Sequence, residues 1–158
     1  MEKSLPMIVQ HADPSHFNAL ISLAREAEPL FGPMADESSF HDALKGAISQ
    51  RLVFCLPQAD TDTLKGAIII SPDTNEIVWF VVTHTCRNQG SGNQLLDFAL
   101  TRLDQTQEIL VQTFAPSVPE GAPARALYLK SGFRDLRDGG LNPAGIPTVI
   151  MGRPGVGG

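Results

Sequence analysis

The chain has 158 residues, 42% of them hydrophobic, a net charge of −5 and two cysteines. That is the length of one domain with room for a real core. The acidic balance argues against a nucleic-acid binder working through a broad basic face, and no apolar run approaches the roughly 20 residues that cross a bilayer. The opening MEKSLPMIVQ has no long apolar segment of the signal-peptide kind. Two cysteines make no disulfide framework, so a reducing cytoplasm is the expected setting, with neither membrane nor nucleic acid as partner.

MIVQH reads as a short opening strand, and DPSHFNALISLAREAE as a helix with Asp13 at the N-cap and Pro14 in its first turn. Phe17, Leu20, Ile21 and Ala24 fall on one face of it. PLFGP is expected to break this helix. ADESSFHDALKGAISQ reads as a second helix with Phe40, Leu44, Ala47 and Ile48 as its stripe. RLVFCLP, LKGAIIIS and EIVWFVV follow as three buried strands, separated by the turn-rich PQADTD and SPDTN. A third helix runs from about Gly92 with Leu95, Leu96, Ala99, Leu100 and Leu103 at helical spacing, and EILVQTF is another strand. APARALYLKSGF reads as a short helix stopped by Gly132, and TVIMGR as the last strand after the turn-rich DGGLNPAGIP. The expected order is β-α-α-β-β-β-α-β-α-β-β in an α/β (α+β) domain over residues 1–153, with a flexible Gly-rich tail at 154–158.

The chemistry gathers where EIVWFVV runs through VTHTCRNQGSG into the third helix. The first turn of a helix has backbone N–H groups without partners and a partial positive charge. Glycines let a ligand approach the backbone, so RNQGSG is a plausible phosphate cradle. It is not a dinucleotide fingerprint, which would want a small residue at Leu95, nor a nucleotide P-loop, which would want Lys-Ser or Lys-Thr where Asn93-Gln94 stand. A glycine turn feeding a helix with no ligand is also consistent with these residues.

Read outward, VTHTCRNQGSG resembles the acetyl-CoA-binding segment of the GCN5-related N-acetyltransferases (GNAT family) through Val82, Arg87, Gly90 and Gly92. ARALYLKSGF resembles the family's second signature through Ala124, Leu127, Tyr128, Gly132 and Phe133. The element order agrees with the family fold, a mixed central sheet with helices on both faces. One departure is Gly121, where many members carry Asn.

The resemblance implies transfer of an acetyl group from acetyl-CoA, as co-substrate and without a metal, to a primary amine of a small molecule or peptide by direct attack in a ternary complex. A non-catalytic acyl-CoA-binding sensor or assembly module of the same fold is the alternative, and a homodimer is left open. By resemblance, Val81, Val82 and Thr83 offer main-chain contacts to the pantetheine arm. Arg87, Asn88, Gln89, Gly90, Ser91 and Gly92 cradle the pyrophosphate. Tyr128, the single tyrosine, falls on the family's acid position; a phenol with pKa near 10 can protonate a leaving thiolate. Glu76, His84 or ordered water is the base. Cys86 beside His84 has no evident orienting carboxylate, which disfavours a Cys/His hydrolase. Arg125 and Lys130 are candidates for the outer phosphate. The acceptor walls are expected in EPLFGPMADE and FAPSVPEGAP, with Phe31, Met34, Phe114 and Pro116 as apolar surface and Glu28, Asp36 and Glu37 as acids near the mouth.

Overall fold

The computed structural model describes residues 8–59, 61–86 and 89–156. The elements are β1 (Gln10–His11), α1 (Phe17–Phe31), α2 (Ser38–Ser49), β2 (Val53–Pro57), β3 (Leu64–Ser71), β4 (Glu76–Val82), α3 (Ser91–Leu100), β5 (Ile109–Phe114), α4 (Ala122–Lys130), β6 (Arg134–Leu141) and β7 (Pro147–Arg153). This is the expected order. The strands form one sheet, β1-β2-β3-β4-β5-β7-β6. Only the β4–β5 pair is parallel.

The continuous apolar runs of β2 and β3 are explained by burial on both faces. Phe54, Leu56, Ile68 and Ile70 join Leu95, Leu96, Tyr128 and Phe133 in a core under α3 and α4. Their neighbours Val53, Cys55, Ala67 and Ile69 join Leu20, Leu23, Leu44 and Ile48 in a second core under α1 and α2. Strand period two thus divides each run between two helical layers. Gly66 lets α3 approach the sheet: a Cβ there would lie 2.7 Å from the Val81 carbonyl oxygen and 2.9 Å from Leu95 Cδ1.

The local chemistry departs from expectation in two places. The chain enters α1 through a 3-10 turn, Pro14–His16, where Asp13 accepts from Ser15 N and His16 Nδ1 accepts from Asp13 N. At the other end Pro29 does not break the helix. Proline removes one N–H and crowds one carbonyl, and in the last turn α1 absorbs both. The break comes at Gly32, with φ +102°, whose N–H caps the Glu28 carbonyl at 2.8 Å. The second departure is β6, which takes in Asp138–Leu141 from the stretch expected as turn. It is an edge strand, almost wholly exposed, with register shifts against β7. With no buried face it carries no apolar alternation for a sequence to show. Val156, within the expected tail, donates its N–H to Gln105 O at 2.8 Å.

Gly66→Ala is expected to destabilise by about 2 kcal/mol through overpacking, a fall in Tm of roughly 4–8 °C for a chain of this size. Gly46→Ala, in α2 where a Cβ meets nothing within 4 Å, is expected to raise Tm slightly, because alanine is the better helix former by up to about 1 kcal/mol. Thermal unfolding of the pair followed by circular dichroism checks both signs.

Candidate active site

Strands β4 and β5 pair only at Glu76↔Leu110 and Ile77↔Val111, then part. The pairing of β4 with β3 skips Val78, so a bulge bends β4 at the point of parting. The closed end is pinned by Asn75, whose Nδ2 donates to Asp104 O and Glu108 O while its Oδ1 accepts from Asp104 N. Beyond it, register decides which amides are free. Thr83 N donates to Lys65 O, so alternation turns the amides of Val81 toward β3 and those of Phe80 and Val82 toward the gap. On the other bank Ala115 N donates to Pro147 O, so the Phe114 amide turns toward the gap, while that of Gln112 makes the last rung of the β4–β5 ladder with Ile77.

The gap opens into a cavity of about 1120 Å³. Of the residues singled out from the sequence, Val81, Val82, Gly90, Ser91, Gly92, Tyr128, Phe31, Met34 and Phe114 line it. Arg87 and Asn88 lie outside the described residues. Gln89 is in the turn before α3, and Thr83 is at the end of β4 with its amide on Lys65. Glu76 is not brought there: it sits at the closed end of the gap, and its Oε1 accepts from Thr74 Oγ1 at 2.8 Å.

The two turn glycines differ in role. Gly90, the N-cap of α3, has φ +83° and open space where a Cβ would be. Gly92 has no such space: a Cβ there would meet Leu127 Cδ1 at 2.7 Å, so its glycine also serves the packing of α3 on α4. Gly121, the departure noted above, lies directly against the Phe114 side chain, and a Cβ would collide with it. The space an asparagine would need is filled by Phe114, whose ring stacks on Phe31 at 5.6 Å.

Tyr128 is buried between Phe80 and Phe133 at ring-centroid distances of 6.1 and 5.4 Å. Burial pushes its phenol pKa well up, so it is held protonated. No protein group among the described residues bonds its hydroxyl. Two of the three acids expected at the mouth are already engaged. Glu28 accepts from Met34 N and Ala35 N at 2.9 and 2.8 Å, and Asp36 pairs with both terminal nitrogens of Arg25. Arg125 forms the same two-pronged pair with Asp135 at 2.8 and 2.9 Å.

Two cavity residues escaped the sequence reading. Glu26 of α1 accepts from Thr83 Oγ1, from His84 N and from the His84 ring at Nδ1, each at 2.8 Å, and so ties α1 to the end of β4. Desolvation raises its carboxyl pKa, but the His84 amide, the His84 ring and the Thr83 hydroxyl outweigh it and hold the group below its ordinary value. Gln112 of β5 donates through Nε2 to Gly139 O at 3.1 Å and Thr148 Oγ1 at 2.9 Å. Neither residue belongs to a motif; the partners of Glu26 lie 57 and 58 positions away. Among the described residues no His, Cys, Asp or Glu cluster could hold a metal, both cysteines are free, and no helix is long and apolar enough to cross a membrane.

A carboxyl held below its unfolded value stabilises the fold above that value, near 4.5, and the contribution is lost as pH falls through the folded value. Glu26→Gln is therefore expected to be less stable than the parent at pH 7, with the gap closing below about pH 4.5. Urea midpoints at pH 7 and pH 3.5 test this; a gap that persists unchanged in acid would mean the charge contributes nothing.

The same architecture recurs among solved structures. The ribosomal-protein-alanine N-acetyltransferase of Brucella melitensis superposes with a TM-score of 0.74 at 15% identity, over 94% of this chain and 99% of that one. The ribosomal-protein-S18-alanine N-acetyltransferase of Escherichia coli gives 0.70 at 19%, over 95% and 94%. The PaiA N-acetyltransferase of Thermoplasma acidophilum, solved with coenzyme A, gives 0.68 at 20%, over 95% and 99%. No curated protein sequence matches the chain. Residues 25–153 match the model of the acetyltransferase (GNAT) domain. With most of its length under that match, and with the parted β4 and β5 beside a glycine-capped helix, the chain belongs to the GNAT acetyltransferases and is an acyltransferase enzyme.

Proposed function

We propose that the protein transfers the acetyl group of acetyl-CoA to a primary amine held in the same cavity. The observation that carries this reading is the parting of β4 from β5: it leaves the amides of Phe80 and Val82 unpaired between the N-terminus of α3 and Tyr128. The pantetheine arm takes the place of the missing strand along Val82. The pyrophosphate lies at the α3 N-terminus by Gly90 and Ser91, where helix-end amides and the dipole favour an anion. By the sequence resemblance, Arg87, Asn88 and Gln89 complete the cradle.

The amine attacks the thioester carbon, a C–N bond forms and the C–S bond breaks. Tyr128 delivers the proton that the thiolate takes up. Its desolvated phenol makes tyrosinate costly, so it is reprotonated from the amine through water. An unpaired β4 N–H polarises the carbonyl oxygen. Glu76, at the closed end of the gap, does not reach this chemistry, and solvent serves as the base. Structural neighbours named for acetylating a ribosomal-protein alanine support an N-terminal amine among the acceptors.

Tyr128→Phe removes one hydroxyl and little packing. Turnover is expected to fall roughly a hundredfold, about 2.7 kcal/mol of barrier, at the low end of general-acid effects because a thiolate is already a fair leaving group. Acetyl-CoA affinity by calorimetry should barely move. Full activity would remove the proposed acid, and equal losses in affinity and turnover would make Tyr128 a binding residue. Gly90→Val places a branched side chain in the open space above the α3 N-terminus at a positive φ. It is expected to abolish measurable acetyl-CoA binding; a folded Gly90→Val with parental affinity would put the cofactor elsewhere.

A further inference from the structure

The acceptor half of the cavity has a chemistry narrow enough to name a substrate class. Its walls are apolar: Phe31 and Met34 at the end of α1 and just beyond it, Phe40 on α2, Trp79 on β4 and Phe114 on β5. On α2 the lining positions Ala43 and Ala47 are small, and the hollow beside them is bounded by Leu44 and by Phe40, whose ring lies 6.3 Å from that of Trp79. Gln112 is a neutral polar group of this wall, beside Thr148 and Asn142. Its amide is oriented by two donated bonds from Nε2, and among the described residues nothing donates to its Oε1.

The charges are equally restrictive. Among the described residues no Lys, Arg or His lines the cavity, and its only carboxylates are Glu26 from α1 and Glu120 from the 3-10 turn before α4. The other titratable groups there are Cys86 and Tyr128; α2, β3, β4 and β5 contribute none. Glu26 is already bonded on both oxygens and Glu120 stands at the α4 end. An acceptor amine is thus attracted, while the Glu26 carboxylate is committed to Thr83 and His84.

We propose that the acceptor is an α-amino carbonyl compound with an apolar side chain, the chemistry shared by a peptide N-terminus and an amino-acid amide, and not an alkylammonium of the lysine or polyamine kind. This rests on the acetyl-transfer reading above. With solvent as base, the neutral fraction of the amine governs the rate. At pH 7.5 an α-amino group with pKa near 8 is about one-quarter neutral, and a lysine-type amine with pKa near 10.4 about 0.1%, a difference of roughly two-hundredfold. The side chain fills the hollow under α2, and the amine donates to Gln112.

Two measurements on the whole chain test this. Trp79 is the single tryptophan, so its emission reports occupancy of the hollow without any turnover. Leucinamide is expected to change it saturably, glycinamide not, and Ala47→Leu to abolish the response. Thiol release from acetyl-CoA at pH 7.5 is then compared for leucinamide, a tetrapeptide beginning with leucine, glycinamide and Nα-acetyl-lysinamide. Leucinamide or the tetrapeptide is expected to exceed glycinamide at least tenfold in kcat/KM and Nα-acetyl-lysinamide at least a hundredfold, with the pH profile following the amine's own pKa. Whichever of those two is used better identifies the source. Acetyl-CoA binding with the lysine analogue preferred, or with no side-chain preference, overturns the proposal and leaves acetyl transfer standing. A Trp79 response to leucinamide without acetyl-CoA binding removes the transfer reading instead. Neither response removes both.

Discussion

Two registers of pairing between β4 and β5, and no more, are the constraint on which the site depends. A buried backbone amide left without a partner costs on the order of 1–3 kcal/mol, and strands in the middle of a sheet ordinarily stay paired. Here Phe80 and Val82 on one bank and Phe114 on the other face a gap. The outer edges of both strands are tied, to β3 on either side of the bulge and to β7 throughout. The bulge at Val78 turns β4 away and the Asn75 side chain holds the closed end. The opening is therefore fixed in place, and one strand width of backbone is left exposed along it.

The rest of the fold feeds that gap from two directions. Gly66 and Gly92 let α3 approach the sheet and α4, which brings the α3 N-terminus to one mouth. On the opposite face α1 is bound to the end of β4 through Glu26, while the Asn142 side chain donates to Leu30 O and fastens the β6–β7 connection to the end of α1. A cofactor and an acceptor can then meet across a sheet that neither has to penetrate.

Much of this was legible in the sequence, for identifiable reasons. Period-two and period-3.6 patterns gave the elements because nearly all of them bury a face. The glycine turn and the Ala-Leu-Tyr-Gly-Phe signature pointed to residues that do line the cavity, Gly90, Gly92, Ala124, Leu127 and Tyr128, because each signature is local in sequence. What escaped has the opposite character. Pro29 was read as a stop, although the last turn of a helix tolerates it. Strand β6 has no buried face and therefore no pattern. Glu26, Asn75 and Gln112 act on partners far along the chain, and no spacing rule announces them. Glu76 was assigned by resemblance, from its spacing to Val82, but where the strand opens is decided by the bulge at Val78, and EIVWFVV shows no sign of one.

Gly121 and Phe114 carry a consequence for anyone reshaping this enzyme. Phe114 presses on the backbone that opens α4, the helix of Tyr128, and stacks on Phe31 of the acceptor wall. One ring therefore joins two parts of the cavity wall, the end of α1 and the start of α4. Trimming it would also withdraw support from the start of α4, and a side chain at Gly121 would push the ring toward Phe31. The two parts of the wall are not independent design variables. A directed-evolution path toward a wider cavity has its freer room at Met34 and along the alanines of α2, where a change of shape is not transmitted to α4.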